Sequence, residues 1–163
     1  MTNTPSFVGI DVSKTQLDVA LRPSNEQDTL VHEAAGIDTV VARLCRMRPT
    51  LIVLEATGGL ERPLVRTLVA AALPVIVANP RHVRDCAKAT GQLAKTDRLD
   101  ALVLARFAEA VRPALRPPPD AATASLAALL ARRRQLLDML IAEKNRLSTA
   151  ATRVQCRIRA HVT

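Results

Sequence analysis

The sequence predicts an α/β fold, in which a mixed five-stranded sheet has flanking helices and is followed by a long helix with coiled-coil character. Short apolar runs of strand length alternate with stretches of helical period over the first two thirds of the 163 residues. Residues 121–163 differ, because they contain no glycine or proline and repeat apolar residues every three or four positions. These two patterns indicate an α/β domain joined to a helical segment.

The first three strands are predicted to form a meander. Residues 7–12 (FVGIDV) and 17–21 (LDVAL) are apolar runs separated by the polar SKTQ, which is typical of an antiparallel hairpin. A third run at 29–35 (TLVHEAA) follows the polar stretch SNEQD. We therefore expect three antiparallel strands in chain order.

The next segment alternates helices and strands. Apolar residues at helical spacing predict a helix that Pro49 ends, and the β-branched runs LIVLEA and PVIVAN predict buried strands. Buried strands separated by a helix favour parallel pairing. The predicted helices are 37–48, 61–73 and 80–90, and the predicted strands are 51–56 and 74–79.

A three-stranded meander followed by helix, strand, helix, strand and helix is the plan of the ribonuclease H-like fold. A further helix is predicted at 95–111. Four of the ten prolines lie in 112–120, so that stretch is a linker rather than a helix. The predicted domains are an α/β domain at 1–112, a Pro-rich linker at 113–120 and a basic helix at 121–163.

A heptad repeat runs through the C-terminal segment from Thr123 onward. Its core positions are spaced alternately by four and three residues, which is typical of a coiled-coil seam and predicts a homodimer or higher homo-oligomer. With no glycine or proline to end it before Thr163, we expect one continuous helix, in a chain cut from a longer protein or naturally truncated. The core positions are Leu126, Leu130, Arg133, Leu137, Leu140, Lys144, Leu147, Ala151, Val154 and Ile158.

The charge of the chain favours a polyanionic partner. The net charge is +8, and residues 121–163 carry 8 Lys and Arg against 2 Asp and Glu. Such a segment suits the phosphate backbone of nucleic acid, although a solvated helix face has the same composition. With two Phe and no Tyr or Trp, base stacking is excluded as the main source of binding. The residues expected to contact nucleic acid are Lys14, Lys95, Arg132, Arg133, Arg134, Lys144, Arg146 and Arg153.

Several classes of protein are excluded. Cys45, Cys86 and Cys156 have neither C-x-x-C nor His-rich spacing, so we expect reduced thiols and no zinc site. The N-terminal MTNTPSFVGI lacks a signal-peptide pattern, and no apolar run reaches the roughly 18 residues that span a bilayer. We therefore expect a cytosolic protein with no membrane partner.

Four acidic residues stand where the predicted fold would bring them together. Asp11 interrupts a buried strand, Glu55 ends a central one, and Asp97 and Asp100 lie three apart on one helix face. Carboxylates that converge repel each other unless cations lie between them. Two divalent ions bridged by carboxylates are a known arrangement for in-line phosphoryl transfer, and oxygen ligands favour Mg²⁺ or Mn²⁺.

Each of these acids also has a purely structural interpretation. Asp97 could cap its helix with Asp100 in the first turn, and Glu55 could mark a strand end that faces solvent. Asp11 fits such an interpretation least, since a carboxylate buried between apolar neighbours is costly without a partner. We assign Asp18, in the second strand, to the solvent side of the hairpin, on the face opposite Asp11.

Four segments of the chain match a known pattern: GIDVSK (9–14), VLEATGG (53–59), LPVIVANPRHVRDCAKATG (73–91) and AKTDRLDALVLARFAE (94–109). They resemble the DEDD transposases of bacterial insertion sequences, a family that includes Piv-type DNA invertases and recombinases guided by a bridge RNA. The resemblance implies a RuvC-like domain, a coiled coil, and a C-terminal domain with a serine nucleophile, before which this sequence stops. By motif, it also implies a catalytic and metal-binding tetrad of Asp11, Glu55, Asp97 and Asp100.

The same resemblance implies metal-dependent phosphoryl transfer on DNA at element ends and target, with Mg²⁺ or Mn²⁺ as cofactor and a guide RNA as a further partner. It places the protein in the bacterial cytoplasm, associated with the nucleoid. Without the serine domain, this fragment is not expected to complete strand exchange. The alternatives are a non-catalytic module that binds RNA or DNA and dimerises, and an actin-like sugar kinase or ATPase, which the lack of a second phosphate loop disfavours.

Overall fold

The computed structural model describes residues 5–91, 97–115 and 121–162, with the backbone alone for residues 97–99, 121 and 124. The chain divides into two compact units, Met1–Arg116 and Pro117–Thr163. The strands are β1 (Phe7–Val12), β2 (Gln16–Arg22), β3 (Gln27–Val31), β4 (Leu51–Glu55) and β5 (Val75–Ala78). The helices are α1 (Ala34–Met47), α2 (Arg62–Ala70), α3 (Pro80–Ala89), α4 (Asp97–Val111), α5 (Ala121–Arg146) and α6 (Thr152–Val162).

The sheet of the first unit has the strand order β3-β2-β1-β4-β5. β1, β2 and β3 pair antiparallel as a meander, whereas β4 pairs parallel with β1 and β5 pairs parallel with β4. The prediction of a mixed five-stranded sheet with flanking helices is confirmed, and the strand order and directions are those of the ribonuclease H-like fold. β3 begins and ends earlier than predicted, because its pairing with β2 stops at Val31 and Ala34 already begins α1.

The two faces of the sheet pack against different helices, because side chains alternate along each strand. The even-numbered residues of β1 belong to a buried cluster with residues of α1 and α2. Phe7 belongs to a second buried cluster that includes Leu104 and Phe107 of α4. Asp11 shares the α4 face with Phe7, because the two residues lie four positions apart along one strand and every second residue points to the same face.

Gly9 lets α4 approach the middle of β1 closely. A Cβ atom added at Gly9 would lie 2.1 Å from the carbonyl oxygen of Ala101 and 2.3 Å from the backbone nitrogen of Ala105. Only glycine fits between these backbone atoms. This contact fixes the N-terminal half of α4, including Asp100, beside the strand that carries Asp11.

The second unit consists of α5 and α6 among the residues that the structure describes. The predicted long helix is confirmed over α5, but its uninterrupted continuation to Thr163 is wrong, because residues 147–151 form a turn. In this turn Ser148 Oγ donates to the carbonyl oxygen of Asn145 at 2.9 Å, and Gln155 Nε2 donates to that of Ala150 at 2.8 Å. Such side-chain bonds compete with the helical ladder. The heptad positions beyond Lys144 therefore lie outside α5.

Two further findings concern membrane segments and thiols. In the described ranges, each helix is too short or too polar to cross a membrane. Cys45, Cys86 and Cys156 are free thiols, and Cys86 is the least exposed of the three.

Candidate active site

Asp11 and Glu55 lie on adjacent parallel strands at the carboxyl edge of the β1–β4 pair. The pairing aligns Ile10 with Leu54, so the next residues along the two strands are Asp11 and Glu55. Neighbours in a parallel register point to the same face, and adjacent strands lie about 5 Å apart. Both side chains are half-buried. The sheet therefore presents two carboxylates side by side on the face that α4 covers.

α4 brings a third carboxylate to the same place. Asp100 lies in the first turn of α4, directly before Ala101, whose carbonyl oxygen packs on β1 at Gly9. The charge of Asp100 is near enough to raise the pKa of both Asp11 and Glu55. Three carboxylates from three separate elements thus share one region.

Asp97, the fourth predicted acid, begins α4. Its side chain lies outside the described residues, so its helix-capping and metal-binding interpretations both stay predictions.

The pKa values of the strand carboxylates reflect this crowding. Burial is the main cause that raises the pKa of Asp11 from 3.8 to about 6, and repulsion from Asp100 is the second. A hydrogen bond from the Val12 N–H acts in the opposite direction and lowers this pKa. Glu55 and Asp18 add smaller repulsions to the pKa of Asp11. Burial and Asp100 also raise the pKa of Glu55, while the positive charge of Arg84 opposes that rise. Negative charge is concentrated here, and a cation would relieve the repulsion.

Asp18 is a correction to the sequence interpretation. It pairs directly opposite Asp11 in the antiparallel register, so both side chains are on the same face of the sheet. Asp18 is buried, and Thr29 Oγ1 donates to Asp18 Oδ1 at 2.6 Å. The assignment of Asp18 to the solvent side, opposite Asp11, is therefore wrong. The sequence itself contained the information needed to place Asp18. A hairpin in which the four residues SKTQ join Val12 to Leu17 pairs Asp11 with Asp18.

Glu61 is a buried carboxylate that sequence reasoning missed. Its Oε2 accepts hydrogen bonds from the Thr57 N–H at 3.1 Å, the Thr57 hydroxyl at 3.2 Å and the Gly59 N–H at 2.9 Å. Burial alone would raise the pKa of Glu61, but these bonds, together with its own backbone N–H, lower it below the ordinary value. Gly58 and Gly59 both have positive φ. The Glu61 carboxylate therefore stabilises the tight turn at Thr57, Gly58 and Gly59, which begins two residues after Glu55.

The predicted nucleic-acid contacts are distributed over both units. Lys14 is exposed in the loop between β1 and β2, three residues after Asp11. Lys95 lies outside the described residues. The predicted contacts on α5 and α6 all have exposed side chains, and Arg146 forms an ion pair with Glu143. These predicted contacts are Arg132, Arg133, Arg134, Lys144, Arg146 and Arg153.

The oxygen atoms available at the site are of the kind that binds Mg²⁺ or Mn²⁺. Asp11, Glu55 and Asp100 supply carboxylate oxygens alone, which hard divalent cations prefer. Their arrangement is looser than a formed metal site. For the part of the chain with described side chains, no group of three or more His, Cys, Asp and Glu is close enough to hold a metal ion.

A family model of DEDD transposases of the IS110 type, described as a transposase, matches residues 8–156. The chain belongs to this transposase family. The resemblance that the four sequence segments indicate is thereby confirmed.

Two relatives of this chain are named pilin gene-inverting proteins, from Moraxella lacunata and Moraxella bovis. Each is 27% identical over 147 residues, which cover 86% of this chain and 46% of the relative. The chain thus spans about half the length of these curated relatives.

Solved structures similar to this chain include two proteins of DNA junctions. RuvC of T. thermophilus in complex with a Holliday junction substrate is 15% identical, over 66% of this chain and 96% of that chain, with a TM-score of 0.48. The fowlpox virus Holliday junction resolvase is 14% identical, over 65% of this chain and 99% of that chain, with a TM-score of 0.44. The strand order and pairing of the chain support the ribonuclease H-like fold independently of these likenesses.

Removing the Glu61 carboxylate should destabilise the folded chain. We expect Glu61→Ala to lower the free energy of unfolding by about 2 kcal/mol, because the N–H groups of Thr57 and Gly59 lose their buried acceptor. Glu61→Gln keeps an acceptor oxygen and should lose about half as much. Urea denaturation at pH 7 measures both changes, with Glu33→Ala as a control, since Glu33 is exposed and its side chain makes no cap bond. Wild-type stability in Glu61→Ala would contradict the assigned role.

Proposed function

We propose that this transposase chain is the metal-dependent catalytic portion of a DNA transposase or recombinase, with Asp11, Glu55, Asp97 and Asp100 as its catalytic metal ligands. The observation that carries the proposal is the meeting of Asp11, Glu55 and Asp100 from β1, β4 and α4, where repulsion from Asp100 raises the pKa of the two strand carboxylates. Crowded acids of this kind are found at functional sites, because a fold gains no stability from them. Membership of the transposase family supports DNA as the substrate.

In this proposal the fold sets the positions of the ligands. Asp11 and Glu55 take their spacing from adjacent strands, and the Gly9 contact holds Asp100 above them. Bound divalent cations would supply activation of the attacking oxygen and stabilisation of the leaving oxygen of phosphoryl transfer. Since ligation requires an ionised carboxylate, Asp11 must release its proton, which is favourable above its pKa of about 6.

The helical unit would serve binding and assembly. Its exposed cations support contacts to the DNA of element ends and target and to a guide RNA, in the bacterial cytoplasm on nucleoid DNA. Leu126, Leu130 and Leu137 are 58%, 54% and 40% exposed on α5, which supports a homodimer or higher homo-oligomer through this seam. The family resemblance assigns the serine nucleophile of strand exchange to a C-terminal domain, and we propose that the carboxylates described above act together with it.

A second candidate is a non-catalytic module that binds nucleic acid and self-associates. The exposed cations and apolar residues of α5 favour it. Such a module would bind nucleic acid without binding Mn²⁺.

Calorimetric titration with Mn²⁺ distinguishes the two candidates. We expect the wild-type chain to bind Mn²⁺ at pH 7.5, a pH above the Asp11 pKa of about 6, and Asp11→Asn to bind it at least about tenfold more weakly, because a ligand is lost. Asp38→Asn is the matched control, since Asp38 is exposed on α1. Equal Mn²⁺ affinity in wild type and Asp11→Asn would overturn the catalytic proposal.

A further inference from the structure

α3 carries three cations along one flank, and all three are exposed. At 100° per residue, Arg84, Lys88 and Arg81 lie within about 60° of one another around the helix axis. The opposite part of the helix packs on the core through Val83, which is buried. The side chain of Asn79 caps the helix by accepting a hydrogen bond from the Arg81 N–H at 2.9 Å, which fixes where the flank begins. We call Arg81, Arg84 and Lys88 the α3 cationic flank.

The α3 cationic flank starts next to the acidic site. Glu55 pairs with Ala78 in the parallel β4–β5 register, and the Ala56 N–H donates to the Ala78 carbonyl oxygen at 3.2 Å. α3 begins at Pro80, two residues after Ala78, so its first turn rises from the sheet edge that carries Glu55. Arg84 lies near enough for its charge to lower the pKa of Glu55. Cations and carboxylates thus border each other on one edge of the sheet.

The α3 cationic flank keeps a net positive charge. Within the described residues, none of its three side chains lies within 4.0 Å of a carboxylate oxygen, whereas Arg22 pairs with Glu109 and Arg43 pairs with Asp28. Arg84 Nε donates to the Pro80 carbonyl oxygen at 3.2 Å, which uses one of its five N–H groups. Asp85 lies beside the flank on the same helix, but one carboxylate against three cations leaves a positive surface that favours an anion.

We propose that the α3 cationic flank holds the phosphodiester backbone of the DNA strand whose phosphate reaches Asp11, Glu55 and Asp100. Three carboxylates repel a polyanion, so neighbouring cations are needed to keep the strand in place. From Arg81 to Lys88 the helix rises about 10 Å, so the three cations form one short positive strip along which phosphates of a strand can lie. This inference depends on the proposed function, because it takes the acidic site to be where DNA reacts.

The test compares DNA binding by the full chain and by the variant Arg81→Gln/Arg84→Gln/Lys88→Gln. Fluorescence anisotropy with a labelled DNA duplex in Mn²⁺ over a range of salt gives the affinity and its salt slope. We expect the triple variant to bind DNA about tenfold more weakly. The slope of log K against log salt concentration should become less steep by about 2 to 3. Arg66→Gln is the control, since Arg66 is exposed on α2, which packs on the other face of the sheet. In Arg66→Gln the slope should become less steep by at most about 1.

The outcomes separate this inference from the proposed function. Equal DNA affinity and salt slope in the triple variant and in Arg66→Gln would overturn the inference. The same loss on a single-stranded RNA, with DNA binding unchanged, would overturn it in favour of an RNA surface. Calorimetry should show unchanged Mn²⁺ binding by the triple variant. Absence of Mn²⁺ binding in the wild type together with the expected loss of DNA binding would remove the catalytic proposal and support the DNA contact alone.

Discussion

Replacing Gly9 with alanine is expected to lower the free energy of unfolding by about 3 kcal/mol, at the upper end of the usual cost of overpacking. The added Cβ would lie 2.1 Å from the Ala101 carbonyl oxygen and 2.3 Å from the Ala105 nitrogen. Both atoms belong to the backbone of α4, which cannot rotate out of the way as a side chain can. Relief requires α4 to move away from β1, and the buried contacts between them are then lost.

The same displacement should weaken the acidic site. Asp100 moves with α4 while Asp11 stays on β1, so Mn²⁺ affinity should fall by at least about tenfold in Gly9→Ala. Urea denaturation and Mn²⁺ calorimetry measure the two effects on one preparation.

Gly91→Ala provides the matched control for Gly9→Ala. Gly91 has a φ of +74, and a Cβ added there meets nothing within 4 Å. Its substitution should therefore cost about 1 to 2 kcal/mol through backbone strain alone and leave Mn²⁺ affinity unchanged. A smaller loss of stability in Gly9→Ala than in Gly91→Ala would contradict the close approach of α4.

The strand acids were predictable because strands can be recognised from local composition. Apolar runs placed Asp11 inside a buried strand and Glu55 at the end of another, and parallel pairing then brings the two strand ends to one edge. Asp100 followed from its spacing in the helix that packs on that face. Asp18 was misassigned although the length of the SKTQ loop sets its register, which puts Asp18 on the face of Asp11.

Glu61 and the end of α5 were missed for a different physical reason. Glu61 accepts hydrogen bonds from backbone N–H groups that come together only when Gly58 and Gly59 adopt positive φ. The spacing of apolar residues, from which the helices and strands were predicted, carries no information about this turn. The turn after Arg146 contains no glycine or proline, so the usual stop signals are absent. Hydrogen bonds from Ser148 and Gln155 to backbone carbonyl groups accompany the break instead, together with packing of α6 on α5.

Asp11→Asn is expected to stabilise the metal-free protein at neutral pH. The pKa of Asp11 in the folded chain is about 6, above its ordinary 3.8, so the folded state binds more protons than the unfolded state between these values. The free energy of unfolding of the wild type therefore falls as pH rises through this window and stays low above it. Asparagine carries no charge and avoids this loss. We expect the variant to melt about 3 °C higher than wild type at pH 7.5, and at an equal temperature below pH 3.8.

Thermal melts in EDTA at a series of pH values test this expectation, with Asp38→Asn as the exposed control. The gain in Tm from Asp11→Asn should appear between pH 3.8 and about 6, whereas the control should show no gain confined to that window. A variant that melts lower than wild type at pH 7.5 would show that Asp11 stabilises the metal-free fold, contrary to the repulsion inferred from Asp100.

Adding excess Mn²⁺ should reverse the order of the two melting temperatures. A cation that binds only the folded state stabilises it by mass action, and the wild type has the ligand that Asp11→Asn lacks. The carboxylate that weakens the empty fold would then be the one through which metal strengthens it. If Mn²⁺ raises Tm equally in both proteins, Asp11 is not a ligand, and the crowding of Asp11, Glu55 and Asp100 needs a different cause.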